Sequence, residues 1–562
     1  MKAIFAITHC SFGLMLGFVI GDVPVLKGVK MCGLFASLSD VKKMPEFEEA
    51  FKHLVHRGPD DTEVVQPQGS ISFAFHRLAI MDTSHAGDQP FKHNERDIWL
   101  MCNGEVYNYP ALYDAYKKSY AFKSHSDCEP ILPLYVQYGI EEMSRRLDAE
   151  FALVIWDAEK NKMFASRDPV GIRPLFYGFS KLDKKIMFAS ELKVLHSLCG
   201  EVHAFPPGHY YDGDGNFKPY RIISEVKSFT KDPQEKVLTE IRDRLIEGVR
   251  KRLVADVPVG YLLSGGLDSS LVCGIAAHVL KKPLVTFSVG LNKSPIDLPY
   301  AKKVADFIHS THHEVIFTEE DTLKYVREVI WHLETWDITT IRASIGMYLV
   351  CKYIHEKTKI KVVLTGEVSD EIFGYKYTDF APSAAEFQKE SVKRIDELYL
   401  YDVLRADRCI AAHSLEARVP FADLDFVAYC MSIPGEMKMN TTGMGKYLLR
   451  KAFDGMNILP DEILWREKAA FSDAVGHSMV DTLKAYAEAN YTQADLEAAK
   501  TKYPHGTPFT KESLWYREIF EGFYPGRASL IKDFWMPNKS WEGCNVADPS
   551  ARVLSNYGKS GV

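Results

Sequence analysis

A seven-residue segment rich in serine and glycine separates two apolar runs in the second half of the chain. The run before it, residues 259–263, is typical of a buried strand, and the run after it, residues 271–280, is typical of a helix. The segment consists of Ser264, Gly265, Gly266, Leu267, Asp268, Ser269 and Ser270. Its glycines let the main chain approach phosphate oxygens, and its hydroxyls and the N–H groups of a helix start donate hydrogen bonds to them. The layout predicts a cradle for the pyrophosphate of ATP, without a Walker lysine, in which Asp268 holds a magnesium ion.

A bare Ser-Gly-Gly after a strand is more often an ordinary turn than a nucleotide site. Seven matching residues between a strand and a helix favour nucleotide binding instead. The segment resembles the pyrophosphatase loop of ATP-dependent enzymes that adenylate a substrate oxygen and release pyrophosphate. The resemblance implies adenylation rather than phosphoryl transfer.

Patterns typical of strands and helices alternate beyond this point. Strand patterns cover residues 260–263, 284–290, 313–317 and 361–364, and helix patterns lie between them, ending near residue 280 and covering residues 300–308. The alternation predicts a doubly wound parallel sheet with helices on both faces, followed by a helical C-terminal part. Ligands of such sheets bind beyond the carboxyl ends of the strands, where the serine/glycine segment and Thr365-Gly366-Glu367 both fall.

Length, charge and cysteine content narrow the class of protein. A chain of 562 residues exceeds the usual size of one hydrophobic core, so we expect two domains in an α/β protein. The 68 basic and 75 acidic residues sum to −7, which gives no electrostatic footprint for nucleic acid and favours small polar substrates. The ten cysteines form no C-x-x-C pair and no cluster at zinc spacing, which favours reduced thiols in the cytoplasm.

The first 31 residues differ from the rest. Residues 4–20 are largely apolar and are interrupted by Thr8 and His9. The stretch is compatible with a secretory signal, a weak membrane anchor or an upstream extension of the reading frame. We expect residues 1–31 to be absent from the mature chain, which would then have no membrane partner.

Four segments after this extension belong together. They are Cys32-Gly33-Leu34-Phe35-Ala36, His56-Arg57-Gly58-Pro59-Asp60, His76-Arg77-Leu78-Ala79-Ile80-Met81-Asp82 and Cys102-Asn103-Gly104-Glu105-Val106-Tyr107-Asn108. They resemble the glutaminase domain of the N-terminal-nucleophile amidotransferases. The resemblance implies a four-layer αββα sandwich, which we place at residues 32–225. Polar residues 224–235 then form the linker to a synthetase domain at residues 236–562.

The same resemblance implies the residues of a glutamine site. Cys32 would be the nucleophile and its own α-amine the base, since a thiol pKa of about 8.5 and an amine pKa of about 8 are well matched. The oxyanion would accept hydrogen bonds from Asn103 and Gly104. The pocket would be lined by Arg77, Leu78, Ala79, Ile80 and Met81, with Arg77 binding the α-carboxylate of glutamine. The α-ammonium of glutamine would be bound by Glu105 and Asp127. From the residues alone, Asn103-Gly104 also suits a type I′ hairpin turn, and the two interpretations stay open.

This chemistry requires a free amine at Cys32. If Cys32 stays joined to Met31, its nitrogen is an amide and the thiol loses its base. Translation from Met31 with removal of that methionine would free the amine, and so would a maturation cut at the same bond; we favour the first.

Several motifs of the second half resemble asparagine synthetases of the glutamine-hydrolysing type. They are Thr339-Thr340-Ile341-Arg342-Ala343-Ser344, Gly366-Glu367-Val368-Ser369-Asp370-Glu371, Leu415-Glu416-Ala417-Arg418-Val419-Pro420-Phe421, Trp465-Arg466-Glu467-Lys468 and Asp548-Pro549-Ser550-Ala551-Arg552. The resemblance implies that the adenylate contacts Leu262, Val289, Thr365 and Gly366, and that pyrophosphate contacts the segment from Ser264 to Ser270. It implies that magnesium is bound by Asp268 and Asp370, and aspartate by Thr339 and Arg342. It also implies catalytic roles for Glu367 and Lys468. Taken singly, such charged residues are more often solvated surface groups, and only their clustering favours a site.

The implied activity is ATP-dependent synthesis of asparagine from aspartate through β-aspartyl-AMP, with ammonia from glutamine hydrolysis. An ammonia-dependent synthetase with an inactive glutaminase, an enzyme that adenylates another carboxylate, and a membrane-tethered binding protein are the alternatives, and a homodimer stays open. Three places depart from the family pattern: Val368 and Ala474 replace glycines, and Gly374-Tyr375-Lys376-Tyr377 replaces a Gly-Gly-Tyr context. A β-branched residue is disfavoured at positive φ, so Val368 would be strained if its loop requires that conformation.

Overall fold

The structure, a computed structural model, describes residues 32–58, 60–293, 295–467 and 477–557. The proposed leader, Lys468 and Ala474 lie outside the described residues. No helix within these ranges is both long and apolar enough to cross a lipid bilayer.

The N-terminal half contains two antiparallel sheets of six strands each. Their strands are β1 Gly33–Ser37, β2 Asp61–Val65, β3 Ser72–Arg77, β4 Phe91–Lys92, β5 Ile98–Val106, β6 Ala149–Asp157, β7 Lys162–Arg167, β8 Phe176–Ser180, β9 Ile186–Ala189, β10 Cys199–Ala204, β11 His209–Tyr211 and β12 Phe217–Pro219. The strand orders are β10-β8-β9-β1-β3-β2 and β12-β11-β7-β6-β5-β4. Because side chains alternate along a strand, one face of each sheet contributes to a shared core that includes Leu34 and Phe73 from one sheet and Met101 and Val154 from the other.

Helices cover the outer faces of both sheets. They are α1 Phe47–Lys52, α2 Tyr109–Tyr116, α3 Ile131–Arg146 and α4 Leu192–Leu198. Phe35 of β1 packs with Phe47 of α1, while Leu153 of β6 packs with Ile131 of α3. The layers therefore run helix, sheet, sheet, helix, and the expected αββα sandwich is confirmed.

The expectation of a hairpin turn at Asn103-Gly104 is wrong. Both residues lie inside β5, opposite Ala152 and Phe151 of β6. A Cβ on Gly104 would lie 2.3 Å from the carbonyl oxygen of Glu150, so glycine is required by the close approach of the two strands and not by a turn.

The C-terminal half is built on a five-stranded parallel sheet, β13 Val259–Leu262, β14 Val285–Leu291, β15 Thr311–Phe317, β16 Val362–Leu364 and β17 Glu416–Arg418. Its helices are α5 Gln234–Lys251, α6 Leu267–Leu280, α7 Leu298–Phe307, α8 Glu319–Leu333, α9 Ile338–Lys357, α10 Ser369–Phe373, α11 Ala384–Asp396, α12 Asp402–Ala411, α13 Leu424–Met431, α14 Gly435–Lys438, α15 Tyr447–Phe453, α16 Asp461–Leu464, α17 His477–Asn490, α18 Gln493–Lys502 and α19 Lys511–Phe523, with short 3-10 turns between some of them. Helices α5 and α6 pack on one face of the sheet and α8 and α9 on the other, which confirms the doubly wound prediction.

The strand order β15-β14-β13-β16-β17 places a crevice at the centre of this sheet. The chain winds outward from β13 through β14 to β15 and then returns to the other side of β13 at β16. The loops after β13 and β16 therefore diverge and leave a space at the carboxyl ends of the strands, which is where open α/β sheets bind ligands. The serine/glycine segment follows β13 and Thr365 follows β16, so both border this crevice.

Candidate active sites

The thiol of Cys32 lies immediately before β1 and contacts the segment that follows β3. Its Sγ accepts a hydrogen bond from the N–H of Leu78 at 3.2 Å and lies 3.6 Å from the carbonyl oxygen of the same residue. Burial raises the pKa of the Cys32 thiol to about 12. In the described part of the chain, no side chain forms a hydrogen bond with this sulfur. The thiol therefore needs a base to act near neutral pH, and the α-amine of a terminal Cys32 would supply one.

Asn103 presents a buried hydrogen-bond donor near this thiol. Its side chain is 1% exposed, and its Nδ2 has no hydrogen-bond partner among the described residues. The preceding residue, Cys102, is close enough to Cys32 to contribute to the raised pKa of its thiol. A buried donor without a partner costs about 1–3 kcal/mol, and an oxyanion would satisfy it. The predicted role of Asn103 therefore fits its surroundings.

Arg77 is already engaged by its own domain. Its Nη1 donates to the carbonyl oxygen of Ser84 at 2.7 Å and to Oδ1 of Asp88 at 2.5 Å, and its Nη2 donates to the carbonyl oxygens of Met81 and Asp82. An α-carboxylate of glutamine would have to share this guanidinium with Asp88. The structure thus places Arg77 beside the predicted pocket, on the segment that holds Cys32, but with its donors largely used.

The rest of the segment Arg77–Met81 lies against the second domain. The N–H of Ala79 donates to Asp60 at 3.0 Å, and Asp60 also pairs with Lys361 at 2.8 Å. The carbonyl oxygen of Ile80 accepts from the N–H of Asp256 at 3.2 Å. Residues from both halves of the chain therefore fix the backbone that contacts the nucleophile.

Glu105 and Asp127 form a pair of buried carboxylates. They are 3% and 4% exposed, and Oδ2 of Asp127 accepts the N–H of Val106 at 2.7 Å. Burial raises the pKa of Asp127 to about 6 and raises that of Glu105 well above its usual range, where Asp127 adds like-charge repulsion. An ammonium group bound between them would relieve both effects, which fits the predicted binding of the α-ammonium of glutamine.

The second site is a cavity at the carboxyl ends of β13, β14 and β16. Twelve of the predicted adenylate, pyrophosphate, magnesium and aspartate residues line it together with the catalytic candidate Glu367: they are Leu262, Ser264, Gly266, Leu267, Asp268, Ser269, Val289, Thr339, Arg342, Thr365, Gly366 and Asp370. Gly265 and Ser270 do not line it. Gly265, at φ 78°, supports the loop from behind, because a Cβ there would lie 2.5 Å from the main-chain nitrogen of Ala301. Ser270 is fully buried in α6.

The serine/glycine segment is already shaped as a loop. The Ser264 hydroxyl lies 2.9 Å from that of Ser269, which also accepts the N–H of Ser264 at 3.1 Å. Gly266 is the N-cap of the fourteen-residue helix α6, so the first N–H groups of this helix point toward the cavity. Such a helix start favours the negative charge of a phosphate.

Lys446 contacts two residues of this cavity wall and is absent from the sequence-based prediction. It is 4% exposed, and its Nζ lies 2.7 Å from Oδ1 of Asp268 and 2.6 Å from Oδ1 of Asp370. The two predicted magnesium ligands therefore converge on one point, as a divalent cation requires, and here the cation between them is an ammonium. Lys446 follows the stretch Gly443-Met444-Gly445, but no local pattern connects it with Asp268, which is 178 positions away.

Arg466 is a second missed residue. It lines the cavity, and its Nη1 donates to the carbonyl oxygen of Gly265 at 3.1 Å. Its Nη2 lies 2.7 Å from Asp297, and its guanidinium stacks on Tyr300 at 3.6 Å from the ring centroid. Arg466 therefore fixes the turn of the phosphate loop and adds positive charge beside it.

The other charged candidates differ in how free they are. Oε2 of Glu367 is buried without a hydrogen-bond partner among the described residues, while Oε1 lies 3.4 Å from Arg405. Arg342 instead donates to both oxygens of Glu512, at 2.9 and 2.5 Å, and to both oxygens of Asp548, at 3.1 and 3.2 Å. Glu367 is therefore available to a ligand on one side, whereas Arg342 would have to exchange Asp548 for the carboxylate of aspartate.

Val368 adopts the conformation that makes it costly. Its φ is 82° and its ψ −19°, in the left-handed region, at the N-cap of α10. It is also 1% exposed. The condition under which Val368 would be strained is therefore met, because a β-branched side chain occupies a position of positive φ.

Helix α12 lies between the two sites. Arg405 borders Glu367 at the nucleotide cavity, whereas Asp407 accepts hydrogen bonds from Arg57 at 2.9 and 3.0 Å. Nε of Arg57 donates to the carbonyl oxygen of Cys32 at 3.0 Å. One helix of ten residues thus contacts the surroundings of both sites.

Comparisons with known proteins agree with this division. A family model described as a glutamine amidotransferase domain matches residues 31–231, and one described as asparagine synthase matches residues 240–387 and 379–547. A glutamine-hydrolyzing asparagine synthetase from Gallus gallus is 42% identical over 566 residues, covering 94% of this chain and 99% of that protein. A probable one from Schizosaccharomyces pombe is 42% identical over 568 residues, with the same coverage of 94% and 99%. The solved glutamine phosphoribosylpyrophosphate amidotransferase from B. subtilis covers 51% of this chain and 81% of its own, at 14% identity and a TM-score of 0.30.

A sandwich domain with a half-buried cysteine joined to a parallel-sheet domain with a phosphate loop defines a glutamine amidotransferase that carries an ATP-binding synthetase domain. The family models cover both halves, and the relatives match nearly the full length. The chain belongs to the family of glutamine-hydrolysing asparagine synthetases.

Proposed function

We propose that this chain makes asparagine from aspartate, with ATP as the source of energy and glutamine as the source of nitrogen. The observation that carries the proposal is the presence, in one chain of this family, of two complementary sites. One holds a half-buried thiol and a buried, unpartnered amide donor, and the other is a nucleotide cavity with a preformed phosphate loop. The small-molecule substrates would be glutamine, aspartate and ATP, and we propose the cytoplasm as the compartment.

In the first half-reaction, Sγ of Cys32 attacks the amide carbon of glutamine. The α-amine of Cys32 takes the thiol proton and passes it to the leaving nitrogen, so that ammonia departs and a γ-glutamyl thioester remains. Nδ2 of Asn103 stabilises the oxyanion, and removal of one such donor typically costs about 3–4 kcal/mol of barrier reduction. Water then releases glutamate and restores the thiol. The step requires a chain in which Cys32 is the first residue.

In the second half-reaction, the β-carboxylate of aspartate attacks the α-phosphorus of ATP and pyrophosphate leaves. Ser264, Ser269 and the start of α6 bind the departing phosphates, with the positive charge of Lys446 and Arg466 nearby. Magnesium bound with ATP would be held by Asp268 and Asp370 and would neutralise phosphate charge. Thr339 and Arg342 orient aspartate. Ammonia then attacks the acyl carbon of β-aspartyl-AMP, and AMP leaves as asparagine forms.

The test uses full-length protein whose first residue is Cys32. Asparagine and AMP are measured from aspartate and magnesium-ATP, first with glutamine and then with ammonium. We expect both nitrogen donors to support synthesis, a Cys32→Ala variant to use ammonium alone, and a Cys430→Ala variant, which removes a buried cysteine of α13, to use both. Failure to form asparagine with either donor would refute the proposal, and synthesis with ammonium alone in the unaltered protein would refute its glutaminase half.

A further inference from the structure

Arg418, the last residue of β17, reaches from the synthetase domain into the glutamine site of the other domain. Its side chain is fully buried, and its Nη2 lies 2.9 Å from Oε2 of Glu105. Glu105 is one of the two carboxylates that the glutamine site offers to the α-ammonium of its substrate. A residue of one domain therefore contacts a substrate-binding group of the other.

The position of Arg418 is fixed by the synthetase domain. Its Nε donates to Glu416 at 2.9 Å, and its Nη1 donates to the carbonyl oxygens of Arg252, at 3.1 Å, and Val254. Its own carbonyl oxygen accepts the N–H of Thr365 at 3.1 Å, on the wall of the nucleotide cavity. The guanidinium of Arg418 therefore has little freedom to move, and the ion pair with it fixes the position of the Glu105 carboxylate.

The charges around Glu105 show what Arg418 contributes. The groups that act on this carboxylate are Arg418, Asp127, Glu416 and Arg173. Burial raises the pKa of Glu105, Arg418 opposes this rise, and the two carboxylates add to it. Removing Arg418 would leave three buried acidic groups facing Arg173 alone, and Glu105 would take up a proton more readily. A protonated Glu105 has no charge to offer to an ammonium group.

We propose that Arg418 is a positioning residue for glutamine, which holds the carboxylate of Glu105 in place across the domain boundary to receive the α-ammonium. The inference rests on the proposed function of the glutamine pocket. It implies that the sandwich domain does not complete its own substrate site, because one of the groups that orient glutamine is held by a strand of the parallel sheet.

The experiment measures glutamine hydrolysis by the full chain with Cys32 as first residue, in the Arg418→Gln variant, from pH 6 to pH 9. We expect the KM for glutamine to rise at least about tenfold with a much smaller change in kcat, because breaking a buried ion pair leaves its partner uncompensated. The acid limb of kcat/KM should move to higher pH, which a merely structural role would not cause. An Arg418→Lys variant, which keeps the charge, should recover part of the loss.

Two controls separate this role from a general loosening of the domain boundary. Arg252→Gln breaks a buried ion pair with Glu150, 2.9 Å long, without removing a side chain that contacts Glu105. If it raises the KM for glutamine as much as Arg418→Gln does, the inference fails. Glu105→Gln should raise the KM by itself, and adding Arg418→Gln to it should bring no further rise, because the two residues act as one unit. A further independent rise would also overturn the inference.

Ammonium-dependent synthesis of asparagine, measured in the same preparations, separates the inference from the function on which it rests. If the unaltered protein makes asparagine from neither glutamine nor ammonium, the proposed function fails. If that synthesis proceeds and Arg418→Gln leaves both the KM for glutamine and its pH profile unchanged, the inference alone fails. Arg418→Lys serves as the test variant if Arg418→Gln does not fold, with a KM shift in the same direction expected.

Discussion

Replacing Val368 with glycine tests whether the left-handed backbone of the loop after β16 stores strain. Val368 has φ 82° and is 1% exposed, so two opposing effects meet at one residue. Loss of a buried valine side chain costs about 1.5–3 kcal/mol, and the greater freedom of glycine in the unfolded chain costs about 0.5–1 kcal/mol more. Glycine would also relieve the backbone strain, which should stabilise the folded state by about 1–3 kcal/mol. We therefore expect a net loss of stability of about 1 kcal/mol, the difference between the midpoints of these opposing ranges.

The matched control is Val363→Gly. Val363 is fully buried in β16, where its backbone is extended and carries no strain that glycine could relieve. We expect the control to lose about 2–4 kcal/mol, the same two costs without the relief of strain. Denaturant unfolding followed by circular dichroism compares the two variants with the unaltered protein. Equal losses at both positions would show that Val368 is not strained and would refute the reasoning.

Three further outcomes follow from the sites. Asn103→Ala should lower kcat for glutamine hydrolysis by roughly 10²–10³-fold with little change in KM, because its amide is required mainly in the transition state; a change confined to KM in steady-state kinetics would contradict this. The pKa of Asp127, raised to about 6 by burial, should make the KM for glutamine increase as pH falls through 6, because the protonated acid no longer attracts the α-ammonium, and Asp127→Asn should remove this part of the pH profile. Lys446→Met should lower aspartate-dependent exchange between ATP and labelled pyrophosphate at least about tenfold, since Asp268 and Asp370, the proposed magnesium ligands, would lose the buried ammonium that holds them in position, while glutamine hydrolysis persists; unchanged exchange would exclude a role for Lys446.

The sequence predicted features that depend on neighbours along the chain. The alternation of apolar runs marked β13 and β14 within one residue of their observed bounds, because burial on both faces leaves a continuous apolar run, whereas α6 begins four residues earlier than its apolar run, inside the serine/glycine segment. The phosphate loop formed by the serine/glycine segment was also predictable from the sequence, because its strand, loop and helix follow one another directly along the chain.

Contacts between distant parts of the chain could not be predicted from the sequence. Lys446 lies 178 positions from Asp268, and Arg342 lies 170 positions from Glu512. No local pattern indicates which buried cation pairs with which carboxylate. The sequence therefore does not predict Lys446 as a site residue, and it does not show that Arg342 is paired with Glu512. The hairpin at Asn103-Gly104 failed for a related reason, because the pairing partner of that stretch is β6, more than forty positions on.

The buried charges between the two halves bear on how such a protein can change over time. Arg57 pairs with Asp407, Arg408 with Glu191 and Arg252 with Glu150, and each of these pairs joins the sandwich to the parallel-sheet half with both members shielded from water. A glutaminase domain from another amidotransferase would lack the matching charged residues. Several buried charged groups at the domain interface would then be unpaired, and each would destabilise the protein by several kcal/mol. The two halves must therefore be inherited and altered as a matched set, so recombination at their junction is a poor route to new enzymes from this scaffold.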